Sequence, residues 1–423
     1  MNDRHQPVGQ DRRTFLKTAG AAAAALGSVS VAEVALSAAT QARPRLGLDI
    51  FSIGTQYSAG WGPNQAMEFA ARNGVKMVHF SEIRFLGTGI ANGDWKAAFD
   101  PANLKAIRAK ADELNLDIEI GMRSICPTSG TFDKASGTAE EQLGRMIDAA
   151  RLVRSPIVRC VLGSQADRRP DINTHIDATV RVLKNVRSKA IDSNVKIAIE
   201  NHAGDMQARE LKRLIEEAGK DFVGACIDSG NAVWTIEDPH LTLETLHPYV
   251  LTSHMRDSYV FVAPQGTAVQ WQRMGDGNIG MEDYIRKYVQ QCPGAAVSLE
   301  VIVSNAPRLF NYKDPAAWEI FRTTPAWEFA RFLALCEKGV PREVPAAAGG
   351  RGQAGGGQQA GARGQAPAGA PPAGGPAGAA GAGRGGAGGG AGRGGAPNPE
   401  ALARNAADVE ASLKWTAGVL ARL

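Results

Sequence analysis

A chain of 423 residues, 44% hydrophobic and 21% charged, has the composition of a globular protein, which excludes a fibrous or wholly disordered molecule and leaves room for one large domain or two ordinary ones. The net charge of +4 arises at the two ends, from Arg12, Arg13 and Lys17 and from Arg351, Arg363, Arg384 and Arg393 in a tract without acidic residues. The middle of the chain mixes both signs, so nucleic acid is not expected as a partner.

The first segment, residues 1–42, reads as an export signal. Asp11-Arg12-Arg13-Thr14-Phe15-Leu16-Lys17 is followed by an alanine-rich stretch over 19–32 and small residues ending at Ala42. Paired arginines ahead of Phe-Leu-Lys resemble a twin-arginine signal, with Asp11 where Ser or Thr is usual. The stretch is too short and too rich in Ala, Gly and Ser for a good membrane span, so export to the periplasm or beyond is expected, with cleavage after Ala42 and no stable span afterwards. That route carries folded protein, so a metal could be loaded in the cytoplasm, where its availability is controlled.

Residues 43–343 repeat one pattern: a short β-branched apolar run, loop residues, then an amphipathic stretch of helical period. The strand runs are 46–53, 77–80, 118–122, 157–162, 196–200, 223–228, 251–254 and 297–301. Helical stretches include 101–114, 139–153, 172–191 and 209–218, the second placing Leu143, Met146, Ile147 and Ala150 on one face. Eight such units predict an α/β fold, a (β/α)8 TIM barrel. The competing open sheet would more often carry a Gly-rich phosphate turn after its first strand, and Ile53-Gly54-Thr55-Gln56 is not one. Insertions over 259–278 and 304–323 are long enough to act as lids. The five cysteines, Cys126, Cys160, Cys226, Cys292 and Cys336, are odd in number and form no CxxC pair, so they indicate neither a disulfide framework nor a thiolate zinc site.

Residues 344–399 are almost entirely Gly, Ala, Pro, Gln and Arg and read as a disordered linker. Residues 400–423 regain helical period, with Leu402, Val409, Leu413, Thr416 and Leu420 on one stripe. An isolated helix of this length is marginal, so it is expected to dock on its own barrel, a partner subunit being the alternative. A homo-oligomer is left open.

Barrel enzymes place their chemistry at the C-terminal ends of strands. Four of the strands end in metal-competent side chains: Glu200, Asp228, His254 and Glu300. Taken singly, each is as well explained by helix capping, ion pairing or a hydrogen-bonded core histidine. Four on one face point to a metal site. Three carboxylates and an imidazole favour one hard or borderline divalent ion, Mn²⁺ first, with Mg²⁺, Co²⁺ or Zn²⁺ as alternatives.

Several runs carry a resemblance. Ile199-Glu200-Asn201-His202, Asp228-Ser229-Gly230-Asn231, His254-Met255-Arg256-Asp257, Gly275-Asp276-Gly277 and Glu300 resemble, in order and over about 45–338, the xylose-isomerase-like sugar phosphate isomerase/epimerase family. The resemblance implies a TIM barrel in which the four strand-end residues bind one divalent metal and Glu200 and Glu300 also move the proton. With a metal on the substrate carbonyl, two carboxylates on opposite faces of a ketose serve as base and acid in either direction.

Candidate substrate contacts surround these residues. His202 either bonds a sugar hydroxyl or orients Glu200. Asn231 stands where some related epimerases carry a sugar-binding histidine. Arg256 either meets an enediolate or acidic substituent or pairs with Asp257, and Glu82 is a weaker polar candidate. Of Trp61, Trp271, Phe310, Tyr312 and Trp318, most are expected to pack loops and one or two to contact sugar, Trp61 first. The functional expectation is a divalent-metal isomerase or epimerase acting through an enediolate on a small carbohydrate. A 3-keto-glycoside lyase or hydratase using the same metal site is the nearest rival, and a non-catalytic sugar-binding barrel is the alternative from another class.

Overall fold

The computed structural model describes residues 44–87, 95–303, 306–344 and 398–423, all within the compact unit Pro44–Leu423. The export signal over 1–42 and nearly all of the linker over 344–399 lie outside the described residues. The strands in chain order are β1 (Leu46–Asp49), β2 (Met77–Phe80), β3 (Asp117–Ser124), β4 (Ile157–Val161), β5 (Lys196–Glu200), β6 (Val223–Asp228), β7 (Val250–His254), β8 (Asp257–Ala263), β9 (Gly266–Gln272), β10 (Val297–Leu299) and β11 (Arg308–Phe310).

Eight of them form one parallel sheet in the order β10-β1-β2-β3-β4-β5-β6-β7. A bridge between Met255, just past β7, and Leu299 on β10 brings the two edges together, with Met255 N donating to Ser298 O at 2.7 Å and Glu300 N to Met255 O at 3.1 Å. The fold is a nearly closed TIM barrel. Strands β2, β4 and β6 are buried at every position, as expected of parallel strands covered on both faces, which read as continuous apolar runs.

Helices α1 (Pro63–Arg72), α2 (Pro101–Glu113), α3 (Ala139–Val153), α4 (Ile172–Asp192), α5 (Ala208–Ala218), α6 (Pro239–Leu246), α7 (Met281–Gln291) and α8 (Ala326–Cys336) each follow one barrel strand. Their starts are written locally. Asp100, Asp171 and Asp238 accept from first-turn N–H groups, and Thr138 with Glu141 forms a reciprocal capping box for α3. Leu143, Met146, Ile147, Ala150 and Val153 of α3 are buried against the barrel.

Three elements differ from the sequence expectation. The first strand stops at Asp49, because that side chain accepts from Phe51 N and turns 50–53 into a 3-10 helix. The last strand stops at Leu299, one residue before Glu300, whose N–H is spent on the seam. The 259–278 insertion is not a loop: β8 and β9 form an antiparallel hairpin, and β11, from the 304–323 insertion, pairs with β9. Its β-branched and aromatic run, Ser258-Tyr259-Val260-Phe261-Val262, suits a strand.

The final helix, α9 (Pro399–Leu420), begins at Asn398, which caps Glu400 N. Val409, Ser412, Leu413, Thr416 and Val419 are buried. The helix touches two parts of the barrel. Asn405 Nδ2 donates to Ser52 O at 3.0 Å, and Met274 N, in the turn after β9, donates to Ser412 Oγ at 3.2 Å. At that turn Gly275 has φ +91°, and a Cβ there would run into the ring of Trp415. Gly275→Ala should therefore lower stability by about 2 kcal/mol or more, adding a steric clash to left-handed strain. Thermal unfolding of a double-mutant cycle checks this: Trp415→Ala should recover the steric part of the Gly275→Ala loss and leave the backbone part.

Candidate metal centre

Glu200, Asp228 and His254 are the last residues of β5, β6 and β7, and Glu300 follows β10. The register sets Asp228 beside His254 and Glu200 beside Cys226, so consecutive strands carry these side chains to one end of the barrel. Glu200, Asp228 and His254 are fully buried and Glu300 is 6% exposed. One ligand atom from each lies within 4.8 Å of all the others. His254 Nδ1 stands 2.9 Å from Glu200 Oε2 and 3.1 Å from Glu300 Oε2, yet it makes no well-directed hydrogen bond. A buried nitrogen without a hydrogen-bond partner, ringed by carboxylate oxygens, is the donor set of a divalent cation. The four residues fit such an ion.

Two guanidiniums make this concentration of acid tolerable. Arg159, inside β4, donates Nε to Glu200 Oε2 at 2.5 Å. Arg256 spans Asp228 and Glu300, its Nη2 lying 2.8 Å from Glu300 Oε2 and its Nε 3.0 Å from Asp228 Oδ2. Burial raises the Glu200 carboxyl, but Arg159 and His254 outweigh it and hold the group well below the usual range. Against the same burial, Arg256 and His254 lower Glu300. Asp228 is different: burial pushes it up to about 7 despite Arg256. Its Oδ1 caps the turn that follows, accepting from Gly230 N and Asn231 N at 2.7 and 2.8 Å. Its Oδ2 faces the centre and accepts from Arg256 Nε and Asn231 Nδ2 at 3.0 and 2.8 Å.

Beneath His254 lies a polar layer that reasoning from strand ends does not find. His254 Nε2 and His79 Nδ1 are 2.9 Å apart, both rings buried. Glu119 lies 3.8 Å from His79 and accepts from Thr252 Oγ1 at 2.5 Å. Asp49, 3.7 Å from His254, accepts from Ser81 Oγ at 2.5 Å. Burial pushes Glu119 up to about 7, opposed by the Thr252 hydroxyl. Burial, His254 and Arg159 push His79 well down, so it is a neutral acceptor for a proton on His254 Nε2. Burial lowers the His254 imidazole, but Cys226, Glu200 and Asp49 outweigh it and raise the group well above its usual range. An ion at Nδ1 would therefore take the place of a proton there, with Nε2–H still held by His79. The available signal was a polar residue inside an apolar strand: Asp49, His79, Glu119 and Arg159 all interrupt such runs.

The remaining candidates separate clearly. Asn231 Nδ2 donates to Glu200 Oε1 at 3.1 Å and to Asp228 Oδ2 at 2.8 Å, so it holds two of the acids in place. His202 commits Nδ1 to Gly163 O at 3.0 Å, leaving Nε2 for a ligand. Glu82 is paired with Arg84 at 2.5 Å and Arg123 at 3.5 Å. The ring of Trp61 packs on Phe69 at 5.9 Å, partly buried against the core, so its described contact is with the helix it precedes. The indole that meets the centre is Trp271, on β9, with the Arg256 guanidinium 4.2 Å over its ring. Arg256 stacks there and pairs with Asp228 and Glu300; the partner expected from sequence, Asp257, instead accepts from Ser258 N, Gly275 N and Gly277 N.

A family model described as Xylose isomerase-like TIM barrel matches residues 67–319, more than half of the chain. The chain belongs to this family. Among curated proteins it is 24% identical over 169 residues to a 3-oxo-isoapionate decarboxylase of Pectobacterium atrosepticum, covering 40% of this chain and 54% of that one. It is 23% identical over 221 residues to the uncharacterized protein YihM of Escherichia coli, covering 51% and 59%. The chain thus spans little more than half the length of these curated relatives. Among solved structures, a xylose isomerase domain protein from Planctomyces limnophilus is 18% identical with a TM-score of 0.43, over 61% of this chain and 92% of that chain.

For this member of the xylose isomerase-like family, metal binding should be visible without any substrate. Adding Mn²⁺ to chelator-treated protein at about 100 times its Kd should stabilise the fold by about 2.7 kcal/mol, read as a rise in Tm that excess EDTA reverses. Asp228→Ala and Glu300→Gln should each lose most of the rise; an unchanged rise in both would remove these residues from the ligand set.

Proposed function

We propose that the protein is a divalent-metal-dependent isomerase or epimerase that moves a proton at the carbon beside a carbonyl of a small carbohydrate. The observation that carries this reading is the convergence of Glu200 and Glu300 on His254 Nδ1, at 2.9 and 3.1 Å, each tied to its own arginine. A divalent cation held by Glu200, Asp228, His254 and Glu300, Mn²⁺ first among the candidates, would polarise the carbonyl and acidify the neighbouring C–H.

The chain's own residues account for the rest. Glu200 and Glu300 enter from β5 and β10, with β6 and β7 between them, so a carbon placed above His254 has a carboxylate on either side. Both are held low, hence ionised and able to accept a proton. For isomerisation one ionised glutamate takes the proton and returns it to the neighbouring carbon. For epimerisation the opposite glutamate must enter protonated from solvent and deliver that proton to the other face, and the reverse reaction exchanges these roles. Arg159 and Asn231 hold Glu200 in one orientation. Arg256, flattened against Trp271, holds Asp228 and Glu300 in fixed orientations. His202 Nε2 is the neutral donor or acceptor left for a sugar hydroxyl.

A second reading is favoured by the decarboxylase relative. Loss of carbon dioxide from a 3-oxo acid gives the enolate of a ketone, and β-elimination from a 3-keto-glycoside passes through an enolate before the aglycone leaves; a cation held by the same four residues would stabilise either. We also propose export by the twin-arginine route, supported by Arg12-Arg13 and the alanine-rich segment after them. Glycosides and keto-acids would then be nearer at hand than sugar phosphates.

Solvent deuterium incorporation decides between these. Metal-loaded protein should wash deuterium into a ketose substrate at the carbon next to the carbonyl, and Glu200→Gln or Glu300→Gln should each slow this by about 100-fold or more. Incorporation only after carbon dioxide or an aglycone is released favours the second reading. Absence of exchange into ketoses, 3-keto-glycosides and 3-oxo acids alike would leave a sugar-binding barrel without catalysis.

A further inference from the structure

Beside the centre lies a cavity of about 190 Å³ that the proton-transfer reading does not use. Gln165, Arg169, Trp234, Arg308 and Asn311 contribute its polar and aromatic lining. It is joined to the centre by a stack. The Arg256 guanidinium lies over Trp271 at 4.2 Å, Trp271 stacks on Trp234 at 4.1 Å with planes 4° apart, and the Arg308 guanidinium lies over Trp234 at 4.1 Å. Two indoles are sandwiched between two arginines.

The two arginines differ in one respect. Arg256 is neutralised by Asp228 and Glu300. Arg308 has the neutral amide oxygen of Gln165 as a hydrogen-bond acceptor, and among the described residues no carboxylate pairs with it. Its Nη1 is buried without a hydrogen-bond partner, and burial presses the group down to about 10. The other guanidinium of the lining, Arg169, is already bound to Glu319 at 2.8 Å. A half-buried cation with a buried, unsatisfied N–H and no counter-charge costs the fold stability that an anionic ligand in the cavity would return. A guanidinium held flat on an indole, with a donor to spare, suits a planar or tetrahedral oxyanion.

We propose that this cavity is an oxyanion subsite in which Arg308, flanked by Gln165 and Asn311, binds a carboxylate or phosphate carried by the substrate. The substrate is then an acidic carbohydrate, an identification that rests on the reading of the centre as a carbohydrate site. The oxyanion completes the charge balance at the outer end of the stack, as Asp228 and Glu300 do at the inner end. Trp234 takes no part in contacting the ligand's face, because Trp271 and Arg308 already cover its two sides; its role is to hold the guanidinium plane.

The test is binding, read as Tm of the metal-loaded full chain with inorganic phosphate, with glucuronate, and with glucose at matched concentration and ionic strength. A saturable rise with phosphate or glucuronate and none with glucose is expected. A rise with phosphate alone assigns a phosphorylated substrate, and one with glucuronate alone a carboxylate. Arg308→Gln should weaken the anion effect by about tenfold or more while keeping the metal-induced rise, and Arg308→Lys should keep part of it. An equal anion effect in Arg308→Gln places the anion elsewhere and overturns the proposal. So does the absence of any anion effect in the wild type, an arm that needs no variant. Because no turnover is read, failure here leaves proton exchange at the centre standing, and failure of exchange leaves this result standing.

Discussion

Three carboxylates and an imidazole are brought out of water to one point, and the surrounding molecule is organised to bear that concentration of charge. Arg159 is the clearest instance. A guanidinium inside a barrel strand is expensive on its own, yet here it is one half of a pair with Glu200, and both are buried. Losing either partner would strand a buried charge. Arg256 plays the same part for Asp228 and Glu300. The two guanidiniums and the His254 imidazole together offset the three carboxylates, and a divalent cation would replace the imidazole's proton.

The outer elements serve this arrangement. The β8–β9 hairpin carries Trp271 over Arg256 and donates its indole N–H to Gly230 O at 2.8 Å, thereby bracing the turn that Asp228 caps. Helix α9 holds the base of the hairpin, just past β9, through Ser412 and holds Ser52 through Asn405. Ser52 in turn accepts from Val301 N at 2.9 Å, one residue past Glu300. An element distant in sequence therefore bears on the residue that follows a proposed proton carrier.

How much was legible follows from where each signal resides. Strands β2, β5 and β6 have the bounds that their apolar runs suggest, because strands buried on both faces advertise themselves by composition. Helix α3 does so through its capping box and single apolar face. Glu200, Asp228, His254 and Glu300 were readable because they stand at strand ends, where polarity begins. Asp49, Glu119 and Arg159 were not, since a polar residue inside an apolar run is ordinarily counted against the strand. The hairpin was missed because its alternation is imperfect and an insertion between a strand and its helix is ordinarily a loop. Trp61 and Trp271 both read as indoles in loops, and only the pairing of β8 with β9 shows that Trp271 reaches the arginine.

The seam where the barrel closes has a kinetic meaning. Its bridge joins Met255 to Leu299, and the residues adjoining that bridge are His254 and Glu300. An ion held by both would rivet the last joint of the cylinder, so that loading the site and fastening the wall would be one event, and the emptied barrel would be looser at this joint than anywhere else around its circumference.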